Sequence, residues 1–199
     1  MSPESWIQEV RRRLESPPPR RLPAGEGRDA AVLVPLFADA GEVWTLLTER
    51  SVDLPHHKGQ VAFPGGGREL GEDMWQAALR EAEEEVGLAP DSVLRLGELD
   101  QADTPTGYRI VPCVGAIPQG FEPHANRGEI ADVFSLPLSA LAHPNLIEDR
   151  LVSIDGVDRS LRIYYVGRRQ IWGLTARVLQ NLLRRLGLEA DEDVANPPV

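Results

Sequence analysis

The chain of 199 residues is 42% hydrophobic and 26% charged, the balance of a soluble globular domain with a buried core. Its formal charge of −10 repels nucleic acid and anionic membranes, and it repels a phosphorylated substrate too unless a cation or a local basic patch intervenes. A lone cysteine, Cys113, excludes an internal disulfide and a cysteine-rich zinc site, and no apolar run approaches the ~18 residues of a membrane span.

The first residues, MSPESWIQEVRRRLE, are charged and lack the apolar centre of a secretion signal, so a cytoplasmic home is expected. Trp6, Ile7, Val10 and Leu14 are helically spaced and predict a short helix over 2–15, which PPPRRLP ends as an extended linker. Its role stays open among lid, dimer contact and packing element. The expected plan is therefore an N-terminal helix and proline-rich linker over 1–23, a main domain over 24–188, and an acidic frayed tail over 189–199. Continuous apolar runs predict strands at 30–37 and 43–50, and QVAF a short one at 60–63. An acidic helix follows over about 72–86. Strands are expected in VLRLGELDQ and YRIVPCVGAI, and in GEIADVF before a short helix after Pro137. A hairpin around DGVD joins NLIEDRLVSID to RSLRIYYV. The last helix is IWGLTARVLQNLLRRL, with Ile171, Leu174, Val178, Leu182 and Leu186 on one face. Strands and helices alternate irregularly, which predicts an α/β (α+β) fold with a mixed β-sheet between α-helices. Cys113 and Trp172 read as core residues, and Tyr164 and Tyr165 as split between core and surface.

The informative stretch is GGRELGEDMWQAALREAEEEVGL, Gly66 to Leu88. Seven of these residues are acidic, four of them among the five positions 81–85. At ~100° per residue, Trp75, Ala78, Leu79, Ala82 and Val86 share one arc, the buried stripe. Glu81, Glu84 and Glu85 share a second arc, and Glu83 points to the flank. Glu81 and Glu85 form an unfavourable i,i+4 pair. Arg80 reaches Glu84 at i+4, but one arginine does not balance three carboxylates. A hard divalent cation does, since Mg²⁺ takes oxygen ligands from a few carboxylates together with substrate phosphates. The alternative is a solvated acidic face. FPGGG just upstream reads as a tight glycine loop able to approach a metal or a phosphate, and this favours a site.

The same stretch resembles the Nudix box: a glycine, five residues, Glu, seven residues, Arg-Glu, an apolar residue, any residue, Glu-Glu, any residue, Gly and an apolar residue. Here these are Gly66, Glu72, Arg80, Glu81, Ala82, Glu84, Glu85, Gly87 and Leu88. Ala82 is small for its slot. The resemblance implies the Nudix fold and Mg²⁺- or Mn²⁺-dependent hydrolysis of a nucleoside diphosphate linked to another group. It implies Glu81, Glu84, Glu85 and the carbonyl of Gly65 as metal ligands, Arg80 as the residue that orients the glutamates, and Glu72 as support for the loop or the metal's water shell. The family often takes a general base from a later loop. Glu129 in NRGEIADVF is the candidate, with Glu122 as runner-up and a solvated carboxylate as the alternative.

A second resemblance concerns the flank LLTERSVDLPHHKGQVAFPGG, which is similar to the signature of coenzyme A pyrophosphatases. Leu46 to Ser51, Gly59 and Phe63 to Gly66 fit, but Pro55 stands where that signature has an arginine. Cleavage of CoA or acyl-CoA to 3′,5′-ADP and 4′-phosphopantetheine is implied. Arg50, His57, Gly59, Gln60, Phe63 and Gly66 are then candidates for substrate contact, and His56, His57 or Lys58 could replace the missing arginine. The basic groups at 11–13, 20–21 and 167–169 are either contacts for a 3′-phosphate or ordinary solvated faces. A Nudix hydrolase of ADP-ribose, NADH or dinucleoside polyphosphates is the first rival, and a non-catalytic nucleotide-sensing module the second. The expected partner is a small molecule, with no nucleic acid and no membrane. A homodimer stays open.

Overall fold

The apolar run AAVLVPLF sits in the middle of β1 (Arg28–Asp39), which a tight turn joins to β2 (Glu42–Arg50). The computed structural model describes residues 3–23, 27–52, 59–154 and 157–189. The main sheet adds β3 (Val61–Ala62), β4 (Gly65–Gly67), β5 (Leu94–Glu98), β6 (Ala102–Asp103), β7 (Tyr108–Ala116) and β8 (Ile130–Pro137). Its order is β3-β2-β1-β7-β5, with β4 on β1, β6 on β7 and β8 on β2. β1 and β7 run parallel and the other pairs antiparallel, so the sheet is mixed. A second, antiparallel sheet holds β9 (Ile147–Ile154), β10 (Val157–Val166) and β11 (Arg169–Ile171).

Side chains alternate across a strand, so each strand feeds two cores. Ala31, Leu33, Leu46, Val111 and Cys113 meet α2 (Met74–Val86) through its Ala77, Ala78, Ala82 and Val86. Val34, Leu36, Leu47 and Val114 face the other way. They meet α1 (Pro3–Glu15) and α4 (Gly173–Leu186), which contribute Trp6, Val10 and Leu14, and Leu179, Leu182 and Leu186. The short α3 (Leu138–Leu141) follows Pro137 as expected. Helices thus cover both faces of the sheet. Among the described residues no helix is long and apolar enough to cross a membrane.

Leu14 is 1% exposed and its side chain lies 3.1 Å from where a Cβ on Gly97 would stand, so α1 is packed tightly onto β5. Leu14→Ala should cost about 3 kcal/mol, transfer and cavity together. Urea unfolding checks this, and a loss below about 1 kcal/mol would show that α1 only rests on the domain.

Several local expectations are corrected. FPGGG is no free loop, because Gly65, Gly66 and Gly67 pair as β4 with Val32, Ala31 and Ala30. α2 starts at Met74, two residues late, because Asp73 and Gln76 close a reciprocal capping box there. Ile171 ends β11 and is not the first residue of α4. Trp172 is 45% exposed, so it is not core.

Candidate active site

Three segments converge beside the C-terminal half of α2. The first is β4, laid across the helix so that the backbone N–H of Gly65 donates to Glu85 Oε2 at 3.2 Å. The second is the end of β2, where Arg50 Nη1 stands 3.7 Å from Glu85 Oε1. The third is the loop from 117 to 129, which turns past the open end of the helix. There His124 N–H donates to the carbonyl of Val86 and Asn126 N–H to that of Glu85, both at 2.9 Å. These bonds satisfy carbonyls that a helix end leaves free. The loop ends at Glu129, whose carbonyl accepts from Ser51 N–H at 2.7 Å, beside the pair Arg50–Ile130 of β2 and β8.

The three glutamates differ in setting. Glu84 is exposed, Glu81 half-buried and Glu85 buried at 4% exposure. Burial pushes Glu85 up to about 7, against the Gly65 amide and Arg50, which favour the charged form, and with help from Glu81 and Glu129, which oppose it. Burial also raises Glu81, partly offset by Arg80, with Glu84 and Glu129 adding repulsion. Glu129 therefore lies within electrostatic reach of both, although its side chain is exposed. Glu122 is exposed as well.

Arg80 organises the rim. Its Nε donates to Glu72 Oε1 at 2.8 Å, Nη1 to Glu81 at 3.0 Å and to Glu84 at 3.4 Å, and Nη2 to the carbonyl of Gly67 at 2.9 Å. Glu72 also accepts from Glu69 N–H at 2.9 Å, and the arginine holds its carboxyl below the usual range. One planar fork thus ties the glycine strand to the acidic helix face, which a lysine cannot do. Arg80→Lys should lower activity by about tenfold or more, with a raised requirement for divalent cation. A cation titration of the rate checks this, and a wild-type half-saturation point would contradict it.

Residues suited to a hard cation are present. Oxygen donors stand on one face of α2, a backbone carbonyl is available at Gly65, and Gly66 leaves room that a side chain would take. A Cβ at Gly66 would lie 2.3 Å from Glu81 Oε1. Yet among the described residues no group of three or more His, Cys, Asp or Glu is gathered as a metal-holding cluster. The carboxylates turn instead toward guanidinium groups, Glu81 and Glu84 to Arg80 and Glu85 to Arg50. Like charges on one face require counter-charge, and the two arginines supply it.

The remaining candidates are distributed unevenly. Gly59 takes a left-handed conformation (φ 62°) and its N–H donates to the carbonyl of Arg50, while Gln60 accepts from Arg50 N–H, so both shape the strand end that carries Arg50. Phe63 is 4% exposed and packs in the core with α1 and α4, away from α2, so it is a packing residue and not a substrate contact. His57, like Pro55, His56 and Lys58, lies outside the described residues. Of the basic groups, Arg12 and Arg13 pair with Glu9, Arg21 with Glu98, and Arg169 with Glu49 and Asp132. The pairing of Arg50 with Glu85 and the anchoring of the 117–129 loop through His124 and Asn126 have no signature in the sequence.

The NUDIX domain family model matches residues 27–154, which contain β4, the acidic helix α2, Arg50 and Glu129. The chain belongs to the Nudix hydrolase family. Its members are pyrophosphohydrolases that act on phosphoric anhydrides. Among curated relatives, the "uncharacterized Nudix hydrolase NudL" of Photorhabdus laumondii is 38% identical over 171 residues, 85% of this chain and 90% of that protein. The NudL of Escherichia fergusonii is 37% identical over 163 residues, 81% of this chain and 84% of that protein. Of solved structures, a MutT/nudix family protein from Enterococcus faecalis aligns with a TM-score of 0.54 at 16% identity, over 94% of this chain and 70% of that one. The Nudix hydrolase RenU of M. smegmatis aligns with a TM-score of 0.51 at 24% identity, over 59% and 77%. These likenesses support the fold: a mixed sheet with helices on both faces. This Nudix enzyme acts on a nucleoside diphosphate derivative, a small-molecule substrate, and Nudix hydrolases generally use divalent metal ions.

Proposed function

We propose that the enzyme hydrolyses the diphosphate of CoA or acyl-CoA, giving 3′,5′-ADP and 4′-phosphopantetheine, with Mg²⁺ or Mn²⁺ as cofactor. What carries this reading is the segment 46–66, whose pattern is similar to that of coenzyme A pyrophosphatases and whose described ends flank the acidic helix. Leu46 to Arg50 form β2, and Gly65 and Gly66 form β4 against Glu85 and Glu81.

In this reading Glu81, Glu84, Glu85 and the Gly65 carbonyl would hold the cation, which when bound would neutralise phosphate charge and make a water more acidic. The chain's own part is positioning and proton transfer. Glu129, at the loop end, takes the proton of the attacking water. The water's oxygen joins one phosphorus as the anhydride P–O bond opposite breaks, and the electron pair leaves with the departing phosphate. Arg50 leaves Glu85 to contact the diphosphate, and its Nε, buried with no hydrogen-bond partner among the described residues, has capacity for that contact. Arg80 and Glu72 keep the glutamates oriented.

Pro55 at the signature's arginine position favours the alternative, another nucleoside diphosphate derivative such as ADP-ribose, NADH or a dinucleoside polyphosphate. Purified enzyme with Mg²⁺ or Mn²⁺ is offered CoA, ADP-ribose and NADH in parallel, and the products are separated by chromatography. Release of 3′,5′-ADP and 4′-phosphopantetheine as the fastest reaction is expected. AMP from ADP-ribose or NADH with CoA left intact would replace this reading by the alternative.

A further inference from the structure

A cavity of about 400 Å³ opens on the same face of the sheet as the acidic helix. Its apolar walls include Phe37 of β1, Leu46 of β2, Val133 of β8, and Ile117 and Phe121 of the loop. Asp39 and Gln119 stand at one side, and Gln119 Nε2 donates to Asp39 Oδ1 at 2.9 Å. Among the described residues, none that lines it is basic.

Two connections tie this cavity to the site. Leu46, Thr48 and Arg50 point to one face of β2, because side chains alternate with a period of two. Leu46 thus lies four residues from Arg50, roughly 13 Å along the strand. The loop that supplies Ile117 and Phe121 also carries Glu129 and is pinned to the end of α2.

We infer that this cavity is the subsite for the uncharged pantetheine arm of the substrate, with a short acyl group as its natural extension. The inference rests on the CoA reading above and deepens it. CoA has two halves to place on either side of the diphosphate. The nucleotide half carries a 3′-phosphate, which a pocket whose described lining holds no cation and one carboxylate rejects. The pantetheine half is neutral, with two methyl groups and two amides. An extended arm spans roughly 15 Å at standard bond lengths, enough to reach from Arg50 to Leu46 and beyond. Phe37, Phe121 and Val133 meet its methyl and methylene groups, and Gln119 and Asp39 can bond its amides.

The test combines binding and kinetics. Pantetheine, without any phosphate, is titrated into the metal-free full chain and followed by amide NMR shifts. It is expected to move resonances of Phe37, Leu46, Phe121 and Val133. Phe121→Ala, which removes one wall, and Val133→Phe, which fills the space from β8, are then compared with wild type on CoA. Each should raise KM by about tenfold with kcat nearly retained, the mark of lost uniform binding. Circular dichroism of both variants confirms the fold, and the half-buried positions of both residues allow the exchange. Wild-type KM in both folded variants, or pantetheine shifts confined to other residues, would overturn the subsite while leaving CoA as substrate. No cleavage of CoA by the wild type would remove the reading on which the subsite rests.

Discussion

Glu85→Gln should cut kcat by about a thousandfold and at the same time make the metal-free protein more stable above pH 7. The two effects share one cause. Glu85 is 4% exposed, and burial raises its carboxyl from the ordinary 4.5 to about 7. A carboxyl raised on folding binds its proton more tightly in the folded state than in the unfolded one. Its neutral form costs nothing extra below the unfolded value. Stability is then lost as pH rises from about 4.5 through about 7, and the charged group remains a burden above that. The shift corresponds to about 3 kcal/mol, the net of burial against the Gly65 amide and Arg50, which favour the charge. Glutamine keeps an acceptor for the Gly65 N–H and carries no charge. The variant's Tm at pH 8 should rise by about 5 °C, and the gap to wild type should close near pH 5. Calorimetry across pH 5–8 measures this. Equal Tm values at pH 8 would show that the buried charge is not destabilising, and a near-normal rate would remove Glu85 from the chemistry.

Gly65 and Gly66 should fail in opposite ways when changed to alanine. A Cβ at Gly65 would meet the Ala31 carbonyl at 2.4 Å and Val32 Cα at 2.6 Å. Backbone in the centre of a paired sheet cannot move aside, so Gly65→Ala should lose about 3 kcal/mol of stability or more. The atoms nearest a Cβ at Gly66 would be the carboxyl end of Glu81, at 2.3–2.6 Å. That end swings away at little cost, so Gly66→Ala should stay folded within about 1 kcal/mol of wild type and lose activity about a hundredfold. Urea unfolding and rate assays on both variants separate the cases. Full activity in folded Gly66→Ala would show that the Glu81 position does not matter for turnover.

Much of this site is legible in the sequence because it is local. One helix, ended by Gly87, fixes the angles between Glu81, Glu84 and Glu85, and the i+4 contact of Arg80 with Glu84 follows from the same geometry. The sandwich of helices around a mixed sheet also follows from the order of apolar runs. What the pattern does not reveal depends on segments far apart in the chain. Helical angles put Glu85 with the other two glutamates, yet it is buried, because β4 and the end of β2 are laid over it. Three glycines in a row read as a loop, since nothing local shows that β1 will pair with them. Phe63 looks like part of a substrate signature, but its side chain leaves the sheet on the face of α1 and α4. Arg50 and Glu129 meet the helix through strand pairing of β2 with β8 and through the loop's bonds to the end of α2. The cavity between Phe37, Leu46 and Phe121 joins three such segments and has no motif of its own.

The acidic face of α2 should exchange its arginine partners for divalent cations. Mn²⁺ binding, followed by loss of the free-ion electron paramagnetic resonance signal, tests it without any assumption about substrate. Wild type should take up Mn²⁺, and Glu81→Gln and Glu85→Gln should each weaken that binding by at least about tenfold. Unchanged Mn²⁺ affinity in both variants would show that these glutamates do not hold the cation.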